Sequence, residues 1–133
     1  FLPVYFSLRA GFPAWSVAIV AALAVAGHCY PLFANFRGGM GLAVAGGAML
    51  AVYPLTFLIV LALLIFLVLI IRHSARAALF TGLLAPILLW LLHFRGTELW
   101  VMATAGLVVA FRFTIDWNRK YRELWLDRDT EQA

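Results

Sequence analysis

Hydrophobic residues in this chain come in long runs, without the alternation of polar and apolar positions that a barrel strand requires. Leu55–Ile71 contains no charged residue, and Ala77–Leu92 is a second run of the same kind. Crossing the hydrocarbon core of a bilayer takes about 20 apolar residues, fewer where the flanking side chains snorkel. A helix that is apolar all round can also be a buried core helix, but one core cannot enclose four or five of them. In lipid, backbone N–H and C=O groups must be satisfied within the segment, so each run is expected to be a helix.

The pattern divides the chain as follows. Phe1–Leu8 resembles the tail of a span, and Arg9, Gly11 and Pro13 form a turn. Ala14 to about Phe33 is the first complete span, followed by a glycine-rich connection over Arg37–Gly41. Leu42 to about Pro54 is a short apolar helix that Pro54 breaks or kinks. Leu55–Ile71 is closed by Arg72, His73 and Arg76, and Ala77–Leu92 carries a tolerable proline, Pro86. Arg95 and Gly96 turn the chain into the last span, Glu98–Phe113, and a charged tail follows. The expected fold is therefore all-α: a polytopic transmembrane helix bundle of four to five spans over residues 1–113. A basic amphipathic tail occupies 114–133. The first residues are already apolar, with no charged leader or cleavage site, so no signal peptide is read. The native N-terminus is expected upstream of Phe1.

Small residues recur every fourth position in the first span (Ala14, Ala18, Ala22, Ala26) and again at Gly39, Ala43, Gly47 and Ala51. Such stripes let helix backbones approach in a membrane. We expect these two helices to pack on each other, although an alanine-rich segment also produces the spacing by chance. In the tail, Trp117, Tyr121, Leu124 and Trp125 share a helical face, with Arg119, Lys120 and Arg122 largely elsewhere. That arrangement suits an interfacial helix with basic residues toward anionic headgroups.

Charge sets the orientation. Alternating spans place Arg37, Arg72, Arg76, Arg112, Arg119, Lys120, Arg122 and Arg128 on one side, and only Arg9 and Arg95 on the other. The positive-inside rule marks the basic side as cytoplasmic. It also requires Leu42–Pro54 to cross, because a re-entrant segment would separate Arg72 and Arg76 from Arg37.

Composition agrees with the pattern. Hydrophobic residues make up 65% of the 133 positions and charged residues 12%. Water-soluble domains carry roughly a quarter charged residues, so this chain cannot cover a water-facing surface. A single cysteine, Cys29, excludes an internal disulfide and a multi-cysteine metal site. His73 and His93 fall on opposite sides in this topology and read as interface residues, and Glu98 near Arg95 reads as a surface pair. Ionisable residues are scarce inside the spans, which argues against a transporter or channel.

Candidate chemistry concentrates in Gly27-His28-Cys29-Tyr30-Pro31-Leu32-Phe33-Ala34-Asn35-Phe36-Arg37-Gly38-Gly39-Met40-Gly41-Leu42-Ala43. Glycines opening a helix expose backbone N–H groups, and the helix dipole favours an anion there. Arg37 adds a planar fork suited to phosphate. The plainer reading is a tight turn with an arginine that satisfies the positive-inside rule. The Gly-Lys-Ser/Thr ending of a P-loop is absent.

This stretch resembles the second signature of the bacterial acyl-phosphate:glycerol-3-phosphate acyltransferases, Gly-His-x-Phe-Pro-x-Phe-x-x-Phe-Lys/Arg-Gly-Gly-Lys-Gly-Val-Ala. Order and spacing agree over residues 27–43. Met40 stands where the family has lysine. The third signature, Arg-His-x-x-Asn-x-x-Arg, falls on Arg112 to Arg119, with Phe113 and Asp116 in place of histidine and asparagine. An aspartate beside a phosphate would repel it unless protonated or paired. The first signature, rich in Gly, Ser and Asn, lies outside this chain.

The resemblance implies transfer of a fatty acyl group from acyl-phosphate to the 1-hydroxyl of glycerol-3-phosphate, giving lysophosphatidate for phospholipid synthesis. An acyl-phosphate is already activated, so neither metal nor cofactor is implied. The implied partners are acyl-phosphate, glycerol-3-phosphate and membrane lipids, with no nucleic acid. The implied location is the bacterial inner membrane, with the site loops cytoplasmic. By the same resemblance, Gly38, Gly39 and Gly41 would donate backbone N–H groups to phosphate, and Arg37 would clamp it. His28 would orient the loop or move a proton, and Arg112 and Arg119 would meet the second phosphate. The alternative left open is a relative that keeps the fold and loop but binds another anionic lipid without catalysis.

Overall fold

The computed structural model describes residues 1–31, 33 and 38–115. Arg37, Asp116, Arg119 and the amphipathic tail helix lie outside the described residues. Among those described there are six helices and no strand: α1 Leu2–Arg9, α2 Ala14–Cys29, α3 Leu42–Val52, α4 Pro54–Ile71, α5 Ser74–Leu91 and α6 Thr97–Ile115.

The boundaries follow proline and capping chemistry more than the edges of the apolar runs. α2 stops at Cys29, about one turn before the expected Phe33. Pro31 disfavours helical backbone in the residue before it, and Tyr30 has φ −130° and ψ 63°. Pro54 occupies the first turn of α4, where its missing N–H costs nothing, so the break at Val52–Pro54 is both an end and a start. α5 begins at Ser74, inside the polar turn, and carries Pro86 within its length. α6 continues two residues past Phe113 to Ile115.

α4, α5 and α6 are each long and apolar enough to cross a membrane, whereas α2 and α3 are shorter apolar helices. Only 6% of the α4 span is buried within the bundle, and its Leu58, Phe66 and Leu69 face outward from it. The direction of each helix follows from its neighbours. Gly41, at the start of α3, lies against Val25 and Cys29 at the end of α2. Gly47 lies against Phe1, the residue before α1, and Gly46 against Phe57 of α4. α3 thus runs from one end of the bundle toward the other and is not a re-entrant stub. α4 returns, so Ala75 after the Arg72 turn packs in the same cluster as Cys29. His73 and His93 sit at opposite ends of α5, as expected.

Two apolar clusters result. One joins Val25, Cys29, Ala45, Ala75, Ala78, Val109 and Phe113. The other joins Val4, Val17, Ala18, Ala48, Met49, Leu89 and Val101. The stripe on α3 does not serve the packing expected of it. Ala43 is exposed, and the buried face is Ala45, Ala48 and Met49. α2 does touch α3, but its most extensive partner is α6, from which Thr104 Oγ1 donates a hydrogen bond to Ala18 O of α2 (3.1 Å). The tightest approach between helix backbones lies elsewhere, at the α5–α6 crossing. A Cβ on Gly82 would stand 2.6 Å from Gly106 O, and one on Gly106 2.5 Å from Gly82 O.

Candidate functional site

The site is the end of the bundle where α2 stops and α3 starts. Pro31 ends α2, and the chain must double back to enter α3 within a dozen residues. Gly38 lies so close to the carbonyl oxygens of His28 and Cys29 that any Cβ there would overlap both. Those oxygens are backbone and cannot swing away. Gly39 N–H donates to His28 O at 3.2 Å, and a Cβ on Gly39 would meet His28 Nε2 at 2.5 Å. Gly41 takes φ +75°, a backbone region open to glycine at little cost, and a Cβ there would also meet Cys29 Sγ at 2.6 Å. The glycines are therefore required first as a means of folding the loop onto the last turn of α2. The amide of Gly39 is engaged in doing so.

The start of α3 is recessed, with Gly41 buried while Gly39 and Met40 are exposed. Gly41 sits level with Val25 on α2 and Val109 on α6. α6 continues from Val109 to Ile115, which is about 9 Å of further helix at 1.5 Å per residue. The start of α3 consequently lies at the bottom of a mouth walled by α2 and α6. Gly41 is the N-cap of α3 and supplies no side-chain oxygen to the first-turn amides. Those N–H groups have no acceptor within the helix, and the dipole adds partial positive charge at the same place.

Arg112 stands one turn above Val109. It is only 9% exposed, and its guanidinium carbon lies 5.7 Å from the ring centroid of Tyr30. A guanidinium held over an aromatic face at the mouth of an apolar bundle is a fixed, poorly hydrated positive charge. His28 is exposed in the last turn of α2, with its ring beside Gly39. The structure thus brings His28, Gly38, Gly39, Gly41 and Arg112 together. Arg72, Arg76 and Arg112 share this end, while Arg9 and Arg95 lie at the other, where Arg95 sits 5.4 Å from the Trp90 ring. Glu98 accepts the Gly96 N–H at 3.0 Å and serves the turn.

The departures from the family pattern have distinct structural settings. Met40 is 37% exposed at the loop. Phe113 is 1% exposed and packs in the cluster with Ala75 and Cys29, so it is a core residue. What sequence reasoning missed is an apolar cavity directly under the loop, lined by residues of α3, α4, α5 and α6. Gly46, Gly82 and Gly106 on its wall were the available signal.

A glycine loop folded onto α2, a recessed and uncapped helix start and a buried arginine define a membrane-embedded helical protein with an anion-favouring mouth. The chain belongs to the glycerol-3-phosphate acyltransferase family, whose pattern matches residues 1–123. It is 37% identical over 114 residues to the glycerol-3-phosphate acyltransferase of Shewanella woodyi, covering 86% of this chain and 56% of that protein. It is 42% identical over 96 residues to the corresponding protein of a second Shewanella species, covering 72% of this chain and 47% of the relative. The chain therefore spans about half the length of these curated relatives. Among solved structures, it is similar to PlsY (YgiH), an integral membrane glycerol 3-phosphate acyltransferase, in its glycerol 3-phosphate form. The TM-score is 0.75 at 26% identity, covering 90% of this chain and 60% of that one. The lysophosphatidic acid form of PlsY gives the same TM-score and identity.

Proposed function

We propose that the full-length protein transfers a fatty acyl group from acyl-phosphate to glycerol-3-phosphate, giving lysophosphatidate and inorganic phosphate. The observation that carries this reading is the placement of Arg112 above the uncapped start of α3, at the mouth of an apolar bundle. Two phosphates can be held there while an acyl chain lies among the helices. In the reaction the acceptor hydroxyl attacks the acyl carbon, the new ester C–O bond forms, and the bond to the phosphate oxygen breaks. The departing phosphate takes the electron pair, and the hydroxyl proton passes to His28 or to that phosphate. Acyl-phosphate is activated already, so the protein's contribution is positioning and stabilisation of developing negative charge. Arg37 and Arg112 are assigned to that charge, Gly38 and Gly41 to loop shape and backbone donation, and Arg119 to the second phosphate. Gly39 holds the loop to His28.

In the same proposal the mouth faces the cytoplasm from the inner membrane, by the positive-inside rule. The basic tail 114–133 then lies along the inner leaflet. Met40 and the burial of Phe113 favour a second reading, a relative that binds another anionic lipid without transfer. Supplying palmitoyl-phosphate and labelled glycerol-3-phosphate to membranes containing the full-length protein separates the two. Transfer predicts labelled lysophosphatidate and, in Arg37→Ala, a steep rise in the glycerol-3-phosphate KM. Absence of product from folded protein favours the second reading, and unchanged kinetics would remove Arg37 from the site.

A further inference from the structure

We infer that Tyr30 is a positioning residue for the mouth: its ring seats the Arg112 guanidinium above the start of α3, and the affinity of the site for a phosphate head depends on that contact. This rests on the charge-stabilising role given to Arg112 above and adds the residue that holds the charge in place. Arg112 needs such a seat. Fixing a long arginine side chain costs rotamer freedom, and near a membrane surface its default is to extend its head toward water. Arg112 instead stays at the bundle, 9% exposed, with its guanidinium carbon 5.7 Å from the Tyr30 ring centroid. Its chain neighbours supply no polar group, since Phe111 faces outward and Phe113 is in the core.

Tyr30 is fixed independently of Arg112. It caps α2, its N–H donates to Ala26 O at 2.8 Å, and Pro31 behind it restricts a backbone that stands at φ −130° and ψ 63°. Its side chain packs half-buried on the cluster that holds Cys29, Ala75 and Phe113. The ring is therefore a platform carried by α2 and turned to α6. Gly41 meets α6 at Val109, and Arg112 lies about 4.5 Å further along the same helix. A guanidinium held by Tyr30 is thus kept over the first turn of α3.

The ring makes this contact and the hydroxyl does not share in it. Tyr30 Oη is buried and has no hydrogen-bond partner among the described residues. An aromatic face attracts a guanidinium through its quadrupole and leaves the positive charge in place. A carboxylate in the same position would offset that charge and weaken the pull on an incoming anion. An aromatic seat suits a cation whose task is to meet phosphate.

The test measures binding of glycerol-3-phosphate and of inorganic phosphate to the full-length protein in micelles by calorimetry. It compares wild type, Tyr30→Leu, Tyr30→Phe, Arg112→Ala and the variant carrying both Tyr30→Leu and Arg112→Ala. Tyr30→Leu should weaken binding about ten-fold, within what a desolvated cation–π contact supplies, and Tyr30→Phe should recover most of that loss. In the Arg112→Ala background, Tyr30→Leu should add less than about two-fold, because Tyr30 acts through the guanidinium. Fluorinated phenylalanines at position 30 keep the shape of the ring and drain its negative face, so affinity should fall stepwise with each fluorine. That series decides the matter even where Tyr30→Leu does not fold. Binding in Tyr30→Leu equal to wild type, no recovery in Tyr30→Phe, an additive loss in the double variant, indifference to fluorination, or no anion binding by wild type would each overturn the inference. A wild type that binds phosphate and makes no lysophosphatidate would defeat the acyl-transfer reading alone.

Discussion

The two ends of the bundle are built from the same kinds of residue and do different things. At the end distant from the glycine loop, polar groups are satisfied within a turn of where they arise. Ser7 Oγ donates to Val4 O, Ser16 Oγ to Pro13 O, Thr56 Oγ1 to Tyr53 O, and Glu98 accepts the Gly96 N–H. The apolar side chains there, with Val17, Leu89 and Val101 fully buried, leave nothing for a ligand to meet. At the mouth end a cation is buried, a helix starts without a side-chain cap, and three glycines press the loop against α2. The first end holds the helices, and the second uses the resulting rigidity to present charge. In a membrane this separation is natural, because helix association depends on close packing and carries little hydrophobic drive.

Substitutions should therefore sort by end. The largest effect on stability is expected midway, where the helices cross most closely. Gly82→Leu must force α5 and α6 apart at Gly106 O, costing about 3 kcal/mol or more, read as loss of folded protein in a denaturant titration in micelles. Gly38→Ala is the matching change at the mouth. The collision with the His28 and Cys29 carbonyls should displace the loop and lower transfer on the order of a hundred-fold, with bundle stability little changed. Leu89→Ala should cost about 2 kcal/mol, at the low end for such a truncation because the separated helices remain in lipid. Its transfer rate per folded molecule should match wild type. Met40→Lys adds a cation to the loop and should lower the glycerol-3-phosphate KM several-fold, an effect that added salt reduces. The smallest change is Thr104→Val, which removes the hydrogen bond to Ala18 O and should cost about 0.6 kcal/mol.

The same division explains what was legible in the sequence. Apolar runs and charge placement located α4, α5 and α6 to within a few residues, because lipid forces the backbone into helix wherever a run is long enough. The direction of α3, from the mouth end toward the other end of the bundle, was expected from charge alone, although the helix is only 11 residues long. Packing partners were not legible. The fourfold spacing of Gly39, Ala43, Gly47 and Ala51 pointed to α2, yet Gly47 meets Phe1. Spacing shows that a helix has a small face and does not show which neighbour takes it. The decisive glycines, Gly82 and Gly106, occur singly on their helices and become a motif only when the two come together. For the site, the order His28, Gly38, Gly39, Gly41 was visible as a signature, and the structure adds the reason for it. The use of Gly39 N–H by His28 O and the stacking of Arg112 on Tyr30 depend on the return of the chain after Pro31, which no spacing encodes.

This division of the bundle predicts that the mouth end acts on phosphate and the far end only holds the helices. The direct measurement is formation of labelled lysophosphatidate per folded full-length molecule in wild type, Arg112→Ala and Leu89→Ala. Product made by wild type and Leu89→Ala alike, and lost in Arg112→Ala with partial return in Arg112→Lys, is the predicted result. Equal activity in Arg112→Ala and wild type would contradict the assignment of the buried cation, and with it the division of labour between the two ends.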